Sequence, residues 1–433
     1  MTNRDKLMTI FSKTLAATLP ANLVREKMTY ENGILKIEGK SFSVPEDRGI
    51  HLFGSGKAAV ETARAVREIL GANLKEGYVI SNYPATVEGV EVFESSHPVL
   101  TQKSFLAAEM LMEKIAALSE DDFFIYVLSG GSSALIEKPV PPVTLADMQA
   151  LTKGLLANGV PIDAMNIVRK HLSLVKGGRL GRLSKASGVV LVVSDVIGDD
   201  LEAIGSAPLF FDRSTFADAQ GTMKKYAIWD MAPDTIKKII EDGVSGLLED
   251  TPKTVNNRIE HFVIDSNMKV LQKAKDYAEA LGIKGHIMTS RLRGEAREAA
   301  QVIMAVGEEI AANGEPFQPP VMLLFGGETT VTLHGDGKGG RNQEMALAVL
   351  KEIRENQHFV FLSAGTDGID GNSDAAGAVV DCQSWEKAKE LGLKIDDYLS
   401  RNDSYNFFAQ TQDLIKTGPT GTNVMDISAL MIV

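Results

Sequence analysis

A glycine-rich stretch, Gly326-Gly-Glu-Thr-Thr-Val-Thr-Leu-His-Gly-Asp-Gly-Lys-Gly-Gly-Arg-Asn-Gln-Glu344, follows the apolar run at residues 321–325 and precedes a helical pattern at residues 345–353. Each glycine loses more backbone entropy on folding than any other residue, so such a loop needs a reason other than stability. Bare backbone lets main-chain N–H groups converge on an anion, as in phosphate cradles at helix starts. Gly326, Gly327, Thr329, Gly339, Gly340 and Asn342 are the expected cradle. Glu328, Asp336, Lys338 and Arg341 bring both signs of charge to it, a mixture that suits a metal-bound nucleotide better than a bare anion. A β-hairpin over residues 329–333 turning at Gly335-Asp-Gly would explain three of the glycines by turn chemistry. It does not explain Gly339-Gly340 opening a helix, and the two readings can hold of different halves.

Other strand ends carry similar chemistry. Residues 50–53 read as a buried strand running into Gly54-Ser55-Gly56-Lys57, with a helix over residues 58–70 and Gly71 as its C-cap. Strand, glycine turn and helix make a phosphate-site geometry. Walker A spacing fails, because His51 stands where the first glycine belongs and Ala58 where the magnesium-binding hydroxyl belongs; GxGxxG is absent too. The apolar run at 123–128 ends in Ser129-Gly130-Gly131-Ser132-Ser133. Ala134 replaces the last glycine of a nucleophile elbow, which argues against a serine hydrolase. Residues 188–193, the strongest strand pattern, deliver Asp195 at their end, where α/β proteins bind ligands, so Asp195 is the better metal ligand. Residues 359–362 lead similarly to Asp367, Asp370 and Asp374. Arg169, Lys170, His171, Lys176, Arg179 and Arg182 form a basic stretch whose usual explanation is a solvated helix face, with His171 structural. Cys382, after an apolar run, reads as a small core residue.

Positioning these groups takes more than one core. At 433 residues, with 44% apolar and 24% charged residues, the chain is globular and long enough for two domains. We place them at 1–242 and 258–433, with the polar residues 243–257 as linker and alternating strand and helix patterns on both sides, including a strand at 259–264 that opens the second. Leu7, Ile10, Phe11, Leu15 and Leu19 recur at helical spacing and predict an amphipathic first helix docked on the body. With 57 acidic against 45 basic residues and no basic stripe, nucleic acid is an unsuitable partner. One cysteine excludes an intrachain disulfide and points to a reducing compartment. No apolar run approaches the ~18 residues that span a bilayer, so a cytoplasmic location without membrane contact is expected.

The ordered motifs resemble one family. Gly56-Lys57-Ala-Ala, Leu128-Ser-Gly-Gly, Val168-Arg-Lys-His-Leu-Ser, Val175-Lys-Gly-Gly-Arg179, Ser194-Asp-Val-Ile-Gly-Asp199, Gly326-Gly-Glu-Thr, Gly339-Gly-Arg-Asn-Gln-Glu344, Gly365-Thr-Asp-Gly-Ile-Asp-Gly371 and Thr417-Gly-Pro-Thr-Gly-Thr-Asn423 are similar to those of the glycerate 2-kinases of the MOFRL type. The resemblance covers nearly the whole chain. Departures are Ser96-His-Pro-Val-Leu100 for Gly-His-Pro-Val-Pro, Ser132 for a third glycine, and Ala207 for the glycine of Ser-Gly-Pro, where a Cβ would close a backbone approach. The resemblance implies an α/β protein with an N-terminal Rossmann-like parallel sheet, a C-terminal α/β domain with a mixed sheet, and an active site in the cleft between them. It implies phosphorylation of D-glycerate at its 2-hydroxyl by ATP and Mg2+, with Lys57 and Arg341 as catalytic cations. Asp195 and Glu328 then hold magnesium, and Asp367 or Asp195 accepts the hydroxyl proton. The competing readings are an NAD(P)H-dependent hydroxypyruvate reductase, disfavoured by the missing GxGxxG, and a nucleotide-binding protein without turnover. The oligomeric state is left open.

Overall fold

The computed structural model describes residues 1–45 and 47–433. It divides into two compact units, Leu23–Ile264, and Met1–Asn22 together with Asp265–Val433.

The first unit opens with a small antiparallel sheet of β1 (Met28–Glu31), β2 (Ile34–Ile37) and β3 (Lys40–Ser43). Its first turn is Asn32-Gly33, both at positive φ, as a two-residue hairpin requires. The main sheet contains β4 (Ile50–Ser55), β5 (Leu74–Ser81), β6 (Val90–Glu94), β7 (Phe123–Ser129), β8 (Ser187–Val193) and β9 (Ile259–Asp265), in the order β6-β5-β4-β7-β8-β9. β6, β5, β4, β7 and β8 pair in parallel. Counted along the chain this is the order 3-2-1-4-5-6 of a doubly wound nucleotide-binding sheet, which reverses between β4 and β7. β4 and β7 are buried along their whole length, so they read as unbroken apolar runs rather than as alternation. Phe53, Tyr78, Phe124, Tyr126 and Val190 pack with Leu111 and Ile115 of the helix Gln102–Ala116. A helical subdomain forms a second core from Met148, Leu151, Val168, Phe216 and Ile240, two of its helices starting at Thr144 and Thr215 in capping boxes with Asp147 and Asp218.

The second unit is built on the mixed sheet β10 (Lys284–Leu292), β11 (Val321–Gly327), β12 (Phe359–Gly365), β13 (Gly377–Asp381), β14 (Leu414–Ile415) and β15 (Asp426–Ile432), ordered β10-β11-β15-β12-β13-β14. Only β10 and β11 run parallel; the other neighbours are antiparallel. Ile303, Leu347, Leu350, Phe361, Phe407 and Leu430 lie in its core.

Three expectations change here. The boundary falls after Ile264, because β9 joins the first sheet through the Gly188 N–H bonded to Arg258 O at 2.9 Å; residues 243–257 therefore lie inside the first unit. The amphipathic helix Asn3–Thr18 belongs to the second unit, where Lys273 Nζ donates to Ala17 O at 2.8 Å and Arg4 pairs with Asp413. Residues 328–340 form no hairpin. His334 and Gly335 N–H donate to Asn402 Oδ1 at 2.7 and 3.2 Å, and Gly335 and Gly337 lie so close to the Arg401 backbone that a Cβ would not fit. Among the described residues, no single helix is long and apolar enough to cross a membrane.

Candidate active site

In the first unit the functional side chains gather where the sheet order reverses. β4 ends in Gly56-Lys57 and β7 in Gly130-Gly131, and Lys57 N–H donates to Gly130 O at 2.9 Å across that point. The turn is held from beneath: Ser55 Oγ meets Tyr126 Oη and Ser132 Oγ, each at 2.6 Å, and Ser129 Oγ accepts from Ala58 N–H at 3.0 Å. Gly54 and Gly56 are required by Val127 and Ser129, against which a Cβ would collide. These glycines serve chain-to-chain packing before any ligand.

Above the turn stand three charged or titratable groups. A Cβ on Gly131 would lie 3.1 Å from the His97 ring and 3.2 Å from Lys57 Cγ, and one on Gly130 would fall on Asp195 Oδ2. The fold thus places Lys57, His97 and Asp195 around one bare backbone segment. Burial, helped by the Lys57 charge, holds the His97 imidazole below its ordinary range, so the ring is neutral at pH 7. Sequence reasoning quoted His97 within a motif but assigned it no part; its position beside a left-handed glycine turn is visible only in three dimensions.

The basic stretch is not a solvated face. His171 is wholly buried and bonded to Ile167 O at 2.7 Å and Asp250 Oδ1 at 2.9 Å, a structural role as expected. Lys170 is buried against Asp212 at 3.3 Å, and Lys176 against Glu137 at 2.5 Å. Ala207 is accommodated at φ 55°, and its carbonyl accepts from Gly178 N–H at 2.7 Å. Cys382 starts the helix Cys382–Glu390, and burial with Asp381 pushes its thiol up, the opposite of an activated nucleophile.

In the second unit, β15 is inserted antiparallel between β11 and β12, so Asp426 at its start pairs with Gly327 and with Gly365, the last residues of both neighbours. Arg341, the first residue of the helix Arg341–Ile353, forks onto it: Nε lies 2.6 Å from Asp426 Oδ2 and Nη2 lies 2.9 Å from Oδ1. Nη1 reaches Glu328 Oε1 at 3.1 Å. Burial opposes the Arg341 charge, but these carboxylates more than offset it and hold the guanidinium protonated. Asp426 was not singled out from the sequence.

The N-terminus of that helix is claimed by Asp370, whose carboxylate accepts from Asn342 N–H at 3.1 Å and Gln343 N–H at 2.9 Å. It sits where a Cβ on Gly340 would be. Burial pushes Asp370 up to about 6 despite those donors. Asn342 is buried, its Oδ1 accepting from Ser363 at 2.7 Å, and Gly339 N–H donates to Asn372 Oδ1 at 2.8 Å. Gly326 and Gly327 are pressed on Asn267 and Leu292, and Thr329 is buried. The expected cradle is thus largely occupied by the protein's own groups, leaving Arg341 and Glu328 as its charged pair. Asp367 Oδ1 accepts from Ile369 N–H at 3.1 Å.

Asp195 and Glu328, expected as metal ligands, belong to different units. Among the described residues no three His, Cys, Asp or Glu side chains gather to hold a metal ion. Magnesium requires no such cage, since it binds through one or two carboxylates with phosphate and water supplying the rest.

Known proteins match this arrangement over the whole chain. Residues 6–241 match a domain of unknown function, DUF4147, and residues 321–426 match the MOFRL family. A Pyrococcus horikoshii protein named glycerate 2-kinase is 37% identical, covering 98% of this chain and 96% of its own. A Thermotoga maritima D-glycerate 2-kinase is 38% identical, covering 98% and 97%. A protein from Agrobacterium vitis named putative hydroxypyruvate reductase is 36% identical over 88% of this chain and 86% of its own. The crystal structure of the Thermotoga maritima glycerate kinase superposes with a TM-score of 0.88 at 36% identity, covering 99% of each chain. With its Rossmann-like sheet under the first match and its mixed sheet carrying the second, the chain belongs to the DUF4147 and MOFRL family of glycerate kinases.

Proposed function

We propose that this protein transfers the γ-phosphoryl group of ATP to the 2-hydroxyl of D-glycerate, giving 2-phosphoglycerate and ADP. The observation that carries it is the gathering of Lys57, His97 and Asp195 on Gly130-Gly131, at the reversal of a nucleotide-binding sheet order. The names of the relatives described above support the same reaction.

In this transfer the 2-hydroxyl oxygen bonds to the γ-phosphorus as the bond to the β,γ-bridging oxygen breaks, and ADP leaves. Little covalent chemistry falls to the protein; the task is positioning and stabilising spread negative charge. Lys57, fixed by its backbone bond to Gly130, supplies a point charge to the transferred group. Arg341 supplies a fork whose orientation Asp426 sets. Neutral His97 adds a hydrogen-bonding group without adding charge. Asp195 and Glu328 would hold magnesium, which would supply charge neutralisation to the phosphate groups. The hydroxyl proton goes to Asp195 or Asp367, and the variants Asp195→Asn and Asp367→Asn separate these.

The test is ADP release from ATP with D-glycerate, with and without magnesium, the product being identified by coupling to enolase. Magnesium-dependent ADP release with enolase-competent product is expected. Release without an enolase-competent product would move phosphorylation to the other hydroxyl, and an NADH-dependent rate with hydroxypyruvate in its place would overturn the kinase reading.

A further inference from the structure

Arg169 lies in the helix Ile162–His171, and its Nε is shut off from solvent without a hydrogen-bond partner. Among the described residues its guanidinium makes no ion pair. A guanidinium so placed is expensive, because burial removes hydration and nothing replaces it. Burial accordingly pushes it below its ordinary range, with Glu137 pulling the other way. Glu137 is already bonded to Lys176 Nζ at 2.5 Å, and both of these side chains are fully buried. One carboxylate therefore stands near two cations, Lys176 fully buried and Arg169 half-buried with its Nε shut off from solvent, and the fold holds a surplus positive charge there.

A second donor stands one helical turn away. Asn166, at i−3 from Arg169, shares its face of the helix and is 7% exposed. Its Oδ1 accepts from Ser206 Oγ at 3.1 Å, which leaves the Nδ2 donors for another acceptor. Ser206 in turn meets Ser133 Oγ at 2.7 Å, and Ser133 lies just after the Gly130-Gly131 turn, whose Gly130 O accepts from Lys57 N–H. Two hydrogen bonds thus link the Asn166 and Arg169 face to the turn.

We propose that Arg169, with the Asn166 amide, seats the carboxylate of the hydroxy-acid substrate. The planar fork of a guanidinium matches a carboxylate in two parallel bonds, and its charge completes the pairing that Glu137 and Lys176 leave unbalanced. The assignment rests on the hydroxy-acid kinase reading given above. A phosphate oxygen of ATP shares the anionic chemistry, and the experiment separates the two.

The measurement is KM for D-glycerate, glyceramide and ATP in the wild type, Arg169→Gln, Arg169→Lys and Asn166→Ala, beside calorimetric binding of D-glycerate without ATP. Arg169→Gln is expected to raise the D-glycerate KM on the order of a hundredfold, the loss of a charged hydrogen-bonded pair. Its glyceramide and ATP KM values should stay unchanged, since neither has the carboxylate. Asn166→Ala and Arg169→Lys should move the D-glycerate KM the same way, each by about tenfold. An unchanged D-glycerate KM in Arg169→Gln, or an ATP KM that rises with it, overturns the assignment. If Arg169→Gln does not fold, Arg169→Lys decides by the same readout. Should the wild type fail to phosphorylate D-glycerate, the kinase reading falls, and calorimetry judges this assignment alone: binding lost in Arg169→Gln upholds it, and binding retained, or absent in the wild type, overturns it.

Discussion

Arg341 and Asp426 are 85 residues apart in sequence and share two parallel hydrogen bonds, from Nε at 2.6 Å and Nη2 at 2.9 Å. The pairing exists because β15 enters antiparallel between β11 and β12 and leaves Asp426 at the end of both. A fork held this way has one orientation. Arg341→Lys keeps the charge but cannot reach both oxygens. We expect it to lower kcat nearly as far as Arg341→Ala does, and Asp426→Asn to lower kcat by about ten- to a hundredfold through misplacement. Steady-state kinetics beside thermal unfolding check this. A fully active, stable Arg341→Lys enzyme would show that charge alone suffices.

Gly130 and Asp195 give a second prediction. Gly130 is not at positive φ, so alanine is allowed by its backbone, yet the new methyl would land on Asp195 Oδ2. Gly130→Ala should therefore behave as a displacement of Asp195, with activity falling about as far as in Asp195→Ala. In the Asp195→Ala background the methyl has room and should cost little more. Strong non-additivity of that cycle is the expected result; additive losses would mean that the methyl acts on something else.

The strands that carry the site were legible because they are buried on both faces, so β4, β7 and β11 appear as apolar runs ending in glycine and a charged or hydroxyl residue, and β8 as one ending in Ser194-Asp195. The partners of those charges were not. Asp426 meets Arg341 only through an antiparallel insertion that local pattern does not encode, and His97 meets Lys57 only through the shape of Gly131. The hairpin at Asn32-Gly33 has a strong local turn signal, but its strands are only four residues long, too short to form an apolar run. The basic stretch misled because charge count says nothing about orientation: Lys170 and Lys176 each find a buried carboxylate 39 or more residues away in sequence. The expected division at 243–257 missed for a related reason. Polar composition marks loops, and this loop returns to supply the edge strand β9.

His261, in β9, lies against Phe210 with ring centroids 5.1 Å apart, and its Nε2 is buried without a hydrogen-bond partner. Burial pushes the imidazole down to about 4, below its ordinary value of 6.5. The folded state thus refuses a proton that the unfolded chain accepts. Its contribution is complete above pH 6.5 and is lost as pH falls from 6.5 toward 4, by at most about 3 kcal/mol. His171, also held down by burial, acts with the same sign, so the wild-type curve contains both. Urea unfolding at stepped pH should show His261→Phe losing less stability than the wild type across that window. Parallel curves would remove His261 from the pH dependence.

The buried pair Lys176 and Glu137 supports a prediction about order rather than size. Both side chains are fully buried, 2.5 Å apart, and the charge of Arg169 acts on both. Breaking such a pair from one side ordinarily costs about 3–5 kcal/mol, because an uncompensated charge is left buried. Here the two sides differ. Lys176→Met leaves Glu137 with Arg169 still at hand, one carboxylate and one cation. Glu137→Gln leaves Lys176 and Arg169, two cations with no carboxylate between them. Urea unfolding should therefore find Glu137→Gln the more destabilised of the two by about 1–2 kcal/mol. Equal losses, or the reverse order, would mean that Arg169 does not interact with Glu137 strongly enough to replace Lys176.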